Sequence, residues 1–401
     1  MDLENISSYD NPCTGCGACV AECLQNAISI ELNENGFYEA SVDENKCIGC
    51  KKCLSVCIRK GAYNTCYNIS TVDVIAARSI DKEILSRSSS GGIVSELYYK
   101  GLEKKYRIVG TIYDTDIDMA KMALSDSDEY VAKFAGSKYL QSYTYDAIQQ
   151  TIHYLKEYKG NNVIIVGTPC QIYGIDKLLK EYGLREQCLL VDFFCHGIPS
   201  YHLWQSYISQ IKKMMKVSKF DDVIFRDKKY GWKNYWISIS GKNARYSSLG
   251  SLDEFYNAYF SNQFLNDCCY LCKLRNEYTC ADIRVGDYWG RIFDDNSQHK
   301  GVSAVMVFTD QGKTFLNECS NLEIIGRYNA GDRIQSQSGI EYSVKNKALL
   351  EMIKKGYSLK RVIKEYNSTQ PLRYNMRYYI KRILRHLPNT IVYKLRNSNL
   401  I

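Results

Sequence analysis

Residues 13–23 read CTGCGACVAEC and residues 47–57 read CIGCKKCLSVC. Both are C-x-x-C-x-x-C-x-x-x-C, and every cysteine of the second run lies 34 residues after its counterpart in the first. Asn11 and Asn45 share that offset, as do Gly15 and Gly49. A doubled run of this kind holds two [4Fe-4S] cubanes: three close cysteines grip one cluster and the fourth reaches across to the other. The spacing therefore predicts Cys13, Cys16, Cys19 and Cys57 around one cluster, and Cys47, Cys50, Cys53 and Cys23 around the second. A closed zinc site takes four ligands in two pairs and has no need of this spacing twice. A disulfide framework belongs to a short secreted chain. The proline that often follows the fourth cysteine is replaced by Leu24 and Ile58; proline is no ligand, so only the local turn should change.

The chain of 401 residues is long enough for two to three domains, and an apolar content of 45% supplies ordinary cores. Seventeen cysteines point to metal and redox work. The opening MDLENISSYD has no basic stretch before an apolar one, so no signal peptide is expected. No apolar run reaches about 18 residues, so no membrane span is expected and a cytoplasmic location is. The net charge of +8 is uneven: no acidic residue follows Glu365, whereas Arg373, Arg377, Lys381, Arg382, Arg385, Lys394 and Arg396 do. Without that tail the chain is nearly neutral and offers no basic face for nucleic acid. The tail suits an anionic membrane surface or an acidic partner; a solvated basic helix explains it with less, and is the favoured reading.

Residues 1–70 read as a ferredoxin-like unit with short strands over 27–32 and 36–42, held mainly by its clusters. Cys66 lies outside the repeat and is taken as a small buried residue without a partner. Residues 71–82 read as a connection. Ser88, Ser89, Ser90, Gly91 and Gly92 then precede a helical pattern. Hydroxyls and free amides at a helix N-terminus suit a phosphate, and equally a plain serine cap. A strand over 107–113 leads to Gly136, Ser137, Lys138 and Tyr139. A helix over 146–158, a strand over 163–166 ending in Gly167-Thr168-Pro169-Cys170, a helix over 171–182 and a strand over 189–194 ending in Cys195-His196-Gly197 follow. This alternation predicts an α/β domain over 71–325, with ligands beyond the carboxyl ends of its strands. Further strands are expected over 220–226, 235–240 and 304–308. Between them, Cys268, Cys269, Cys272 and Cys280 come before Asp282-Ile283-Arg284-Val285-Gly286-Asp287-Tyr288-Trp289-Gly290. Cys170, Cys195, Cys269 and Cys272 offer four thiolates for a third cluster; the first two also read simply as buried strand-end residues. Residues 326–401 read as a helical, basic C-terminal region.

Taken in order, the doubled cysteine run, Ser88–Gly92, Gly136-Ser137-Lys138-Tyr139, Gly167-Thr168-Pro169-Cys170-Gln171, Cys195-His196-Gly197-Ile198-Pro199-Ser200, Cys269-x-x-Cys272 and the Asp282 to Gly290 stretch resemble the β subunit of coenzyme F420 hydrogenases and dehydrogenases. The resemblance covers roughly residues 10–300. It implies an α/β (α+β overall) fold in which a small dicluster domain joins a larger mixed α/β flavin-binding domain. It also implies an iron–sulfur flavoprotein that carries FAD beside [4Fe-4S] clusters. Ser89, Ser90, Gly91, Gly92, Gly136, Ser137, Lys138, Tyr139 and Thr168 become FAD-contact candidates, and the third cluster at Cys170, Cys195, Cys269 and Cys272 gains weight. The implied partners are a ferredoxin or other redox protein and a small-molecule hydride donor or acceptor, F420 or another organic substrate. Relatives with an added ferredoxin domain are encoded beside polysaccharide-synthesis genes. His196 is a candidate proton donor beside the flavin; it also reads as a loop cap or a donor to a cluster sulfur. Two other roles remain open: an electron-transfer subunit with no substrate of its own, or a flavin-less binding module of a glycan-assembly complex.

Overall fold

The computed structural model describes residues 4–61, 63–289, 300–329, 340 and 345–368, with isolated positions at 376, 380, 383, 384, 387, 391 and 395. The seven basic tail residues lie outside the described residues.

In chain order the strands are β1 (Ile28–Leu32), β2 (Tyr38–Val42), β3 (Tyr67–Asn68), β4 (Val74–Ser79), β5 (Arg107–Asp114), β6 (Met119–Ser125), β7 (Ser142–Tyr143), β8 (Val163–Gly167), β9 (Cys188–Phe193), β10 (Asp222–Asp227), β11 (Trp236–Gly241), β12 (Ala244–Leu249), β13 (Tyr278–Thr279), β14 (Ile283–Asp287), β15 (Ser303–Val307) and β16 (Leu322–Tyr328). Among the described residues the largest sheet runs β16-β4-β15-β14-β9-β8-β5-β6-β7. Its centre follows from sequence. VIIVG and CLLVDF are apolar runs without alternation, as strands covered on both faces must be, and β5, β8, β9 and β14 pair in parallel.

Two layers cover this sheet. On one face Leu97 and Tyr98 of the helix Ile93–Glu103, with Phe315 and Leu316, pack against Ile108, Ile164, Leu189, Val191 and Ile283. The other core joins Ile148 and Ile152 of the helix Tyr145–Glu157 and Ile172, Ile175 and Leu178 of the helix Pro169–Glu181 with Val163, Ile165 and Leu190. It also includes Cys16, Ala18, Cys19 and Val20, so the N-terminal unit shares the core of the α/β body.

Two expectations need correction. Residues 71–82 are not merely a connection, because β4 lies inside the sheet between β15 and β16. Its centre, Ala76-Ala77, lacks the bulk that marks a strand, and both its partners come from beyond residue 300, so nothing local announces it. Likewise β16 carries the sheet to Tyr328, past the boundary expected at 325.

Polar side chains lock the N-terminal unit in place. The buried Gln141 accepts from Tyr38 N (2.7 Å) and donates to the carbonyls of Thr14 (3.1 Å) and Tyr38 (3.3 Å). Thr144 Oγ1 donates to Cys16 O (2.9 Å), and Asn266 Nδ2 to Cys13 O (3.3 Å). Gly15 is required at this seam. Its φ is +66°, and a Cβ there would stand 2.3 Å from Gln141 Nε2 and 2.4 Å from Tyr38 O.

Candidate functional site

The two cysteine runs form two groups of thiols. One lines a cavity and comprises Cys13, Cys16, Cys19 and Cys57, with Ile6, Gly17, Val56 and Ile58 between them. Three of these thiols come from the first run and the fourth from the second. Cys57 is pushed up to about 12, by burial first and then by the charge of Cys16. Cys53 instead faces Cys50, Cys23 and Cys47, and burial again raises it. Ala27 N donates to Cys23 Sγ (3.3 Å) and Gly15 N to Cys13 Sγ (3.3 Å), the kind of donors a thiolate needs. Among the described residues no three His, Cys, Asp or Glu converge on a point that one ion could fill. A cubane is larger than an ion, and its ligands ring a volume, as those of the first group do. Crowded buried thiols resist ionisation until a metal supplies positive charge.

A third set lies against the first. Gly174, in the helix Pro169–Glu181, lies so close to the first run that a Cβ would meet Cys16 Sγ at 3.0 Å. One turn before it, Cys170 has Cys272, Cys195 and Cys16 as charged neighbours, and burial holds its thiol well above the usual range. Cys195 is raised to about 12, by burial and then by Cys269 and Cys272; Cys272 is raised to about 11. Cys269 is pulled down, first by Cys268, whose sulfur lies 4.0 Å away, and then by Ile198 N at 3.4 Å. Cys170, Cys195, Cys269 and Cys272, from three separate parts of the chain, therefore come together, with Cys268 as a fifth thiol beside them. They gather where β8 and β9 end. A buried fork fixes that end: Arg284 donates to both carboxylate oxygens of Asp192 (2.7 and 2.5 Å), and Thr279 Oγ1 adds a bond at 2.8 Å.

The glycine- and serine-rich stretches meet nearby, at the same end of the sheet. Ser137 N donates to Ser89 Oγ (2.7 Å), joining the two stretches. Ser90 Oγ donates to Val302 O (2.7 Å), and Gly91 N to Ser303 Oγ (2.9 Å), beside the first residue of β15. Gly92, at φ +83°, caps the helix Ile93–Glu103, whose first amides have no partner within the helix. Lys228 Nζ bridges the carbonyls of Ser90 and Lys300, 2.9 Å from each. Arg226 pairs with Asp287 (2.5 Å), and Trp232 stacks on Trp289 with ring centroids 4.4 Å apart. Trp232 Nε1 and Arg226 Nε are buried without a hydrogen-bond partner among the described residues.

Residues 74–149 match the N-terminal part of the family described as "Coenzyme F420 hydrogenase/dehydrogenase, beta subunit", and residues 160–327 match its C-terminal part. The chain belongs to this family. Ahead of those halves, residues 12–60 match a "4Fe-4S dicluster domain". A curated relative, "Coenzyme F420 hydrogenase subunit beta" of Methanococcus voltae, is 27% identical over 265 residues, which are 64% of this chain and 84% of that protein. A chain of the F420-reducing [NiFe] hydrogenase complex from Methanosarcina barkeri is 17% identical, with a TM-score of 0.45 over 75% of this chain and 93% of that one.

As a member of the F420 hydrogenase/dehydrogenase β-subunit family the chain is an iron–sulfur protein of an oxidoreductase family. Several of its individual candidates nonetheless stand differently from expectation. Lys138 Nζ donates to the carbonyls of Lys133 (2.7 Å) and Ala135 (2.9 Å), so its ammonium caps the end of the helix Glu129–Phe134. Thr168 Oγ1 lies 3.2 Å from Cys170 Sγ, which places it with the third cysteine set. Tyr139 packs its ring against Phe225, Tyr256 and Tyr259. His196 Nε2 is held by Asn262 Oδ1 (2.6 Å), and its ring lies against Tyr259 and Phe260. Burial and then the Arg275 guanidinium push the imidazole down to about 4. The hydrogen bond and the two ring contacts brace the loop that carries Cys195.

Cys66 and Cys280 also need correction, since they form a disulfide. Sequence reasoning also missed Lys228, Arg226, Trp232 and Arg275. Arg275 is buried beside Cys195, Cys269 and Cys272 and donates to His196 O. Lone cations and a tryptophan carry no spacing signal that would have found them.

Proposed function

We propose that this chain is an iron–sulfur flavoprotein oxidoreductase that takes single electrons from, or gives them to, a ferredoxin-like partner in a thiol-reducing compartment. Its other substrate is a small hydride donor or acceptor, F420 or another organic molecule. The observation that carries this reading is the succession of the three cysteine sets. The second run includes the exposed Cys50, the set of Cys13 and Cys57 lies inside it, and Cys170 links that set to the ends of β8 and β9. When bound, [4Fe-4S] clusters carry one electron at a time and FAD joins that to two-electron chemistry.

The chain's own residues would divide the work as follows. The twelve thiolates hold iron, and Ile198 N, Gly15 N and Ala27 N steady their sulfurs. For FAD, the first amides of the helix after Gly92, the Lys228 ammonium and the two unpartnered donors, Trp232 Nε1 and Arg226 Nε, suit an anion and a polar ring. The donors of Ser90 and Gly91 are already committed within the protein, so these two residues would shape the loop and leave the binding to its neighbours.

Anaerobic purification followed by iron, sulfide and flavin counts tests this. About twelve iron atoms and one FAD per chain are expected. About eight iron atoms would remove the third cluster. A chain with full iron and no flavin would sink the flavoenzyme and leave an electron-transfer subunit, the reading favoured by the name of the curated relative above, a hydrogenase subunit.

A further inference from the structure

The Cys66–Cys280 disulfide joins residues 214 apart in sequence, with Cα atoms 4.7 Å apart. It stands beside the short ladder in which Tyr67 pairs with Thr279 and Asn68 with Tyr278. That ladder ties the end of the N-terminal unit to the segment leading into β14. Two residues per strand make a weak ladder, so a covalent bond there matters to the joint.

The two sulfurs are not equivalent. Cys280 is 3% exposed. Cys66 is half-buried on the rim of an open cavity of about 630 Å³, lined also by Gly61, Tyr63, Asn64 and Tyr278. An attacking thiolate thus has access to one sulfur, and the other is placed to leave. On the inner side the pair packs in one group with Ile58, Tyr173, Leu274, Cys170 and Cys272. It therefore adjoins two of the thiolates proposed above for the third cluster. The other cysteines of the chain are free thiols. In a compartment that keeps thiols available for iron, a lone disulfide is usually catalytic or redox-sensing.

We propose that Cys66–Cys280 is a redox-active disulfide that exchanges with an external dithiol through Cys66, and that its reduction loosens the N-terminal unit from the sheet. In the forward step a thiolate of the donor attacks Cys66 Sγ. The Cys66–Cys280 bond breaks, and Cys280 leaves as a thiolate and takes a proton. The donor's second thiol then attacks the mixed disulfide, releasing Cys66, which takes the other proton. Two electrons and two protons pass from the dithiol, which becomes a disulfide, to the pair.

The inference goes beyond the proposed activity and uses that reading only for the reducing compartment. Its test therefore has readouts independent of flavin. The full chain, with its clusters, is equilibrated anaerobically in mixtures of reduced and oxidised dithiothreitol, alkylated, and mapped by peptide mass. Residues 66 and 280 should change together from linked to alkylated, with a two-electron dependence on the ratio. In C280S, oxidised glutathione should add at residue 66; in C66S it should add at residue 280 at least tenfold more slowly. Hydrogen exchange at residues 278–279 should quicken at least tenfold on reduction. Alkylation of both residues even in fully oxidised dithiothreitol would overturn the proposal, as would equal glutathione uptake in the two variants. Unchanged exchange would overturn the loosening. Iron should stay constant in C66S, and a loss of about four atoms would make Cys66 a cluster ligand instead.

Discussion

Lys228 illustrates how little a single residue announces. Its ammonium bridges two carbonyls, and burial, with Arg226 beside it, pulls its pKa down to about 7 while Asp287 opposes. The unfolded chain would keep that proton to about 10.5. Between pH 7 and 10.5 the unfolded state therefore binds more protons, and the ligand-free fold gains from this group as pH rises. An anion bound at this end reverses the preference, because it favours the charged ammonium. Flavin or pyrophosphate affinity should fall about tenfold from pH 6 to pH 8 by this route, and K228Q should bind more weakly with a flat profile. Titration calorimetry across that range checks it; an unchanged slope in K228Q would remove Lys228 from the site. Sequence alone drew attention to Lys138, which sits in a glycine- and serine-rich stretch, but that ammonium faces the end of the preceding helix, Glu129–Phe134.

At the scale of elements, the joint between β9 and β14 holds the third cysteine set in place. Asp192 and Arg284 are both fully buried and bonded as a two-pronged fork. Breaking one side of such a pair leaves an uncompensated charge, at a cost of about 3–5 kcal/mol. D192A should therefore lower the denaturation midpoint sharply, whereas D192L/R284M should recover much of the loss. If the single variant melts like the wild type, the fork is not holding this joint. β8 and β9 themselves were legible as uninterrupted apolar runs. β4 was not, because its small residues gain their place only from β15 and β16, which arrive more than 200 residues later.

At the scale of the molecule, the crossed arrangement of the paired runs can be tested by combining losses. Each cluster carries four irons, and C57S should cost about that many. If Cys57 serves the cluster of Cys13, the double variant C13S/C57S should lose no more iron than either single one, whereas C47S/C57S should lose about eight atoms. The opposite pattern would mean that each run keeps its own fourth cysteine. The N-terminal unit is also less separable than its repeat suggests. Gln141, Thr144 and Asn266 of the α/β body bond to the backbone of its first cysteine loop, and the two parts share one core.

The iron was legible in the order of the residues. Ligand spacing within a run is local, so eight of the twelve candidate cysteines could be read from two short stretches. The apolar centre of the sheet and the family resemblance were legible for a similar reason, because each rests on short motifs in a fixed order. Which distant groups share a space emerged from the folded chain. It gathered Cys170, Cys195, Cys269 and Cys272, joined Cys66 to Cys280, and moved the cation of interest from Lys138 to Lys228. These are contacts between parts of the chain tens to hundreds of residues apart, and they exist only once burial and the sheet order have fixed where each strand ends.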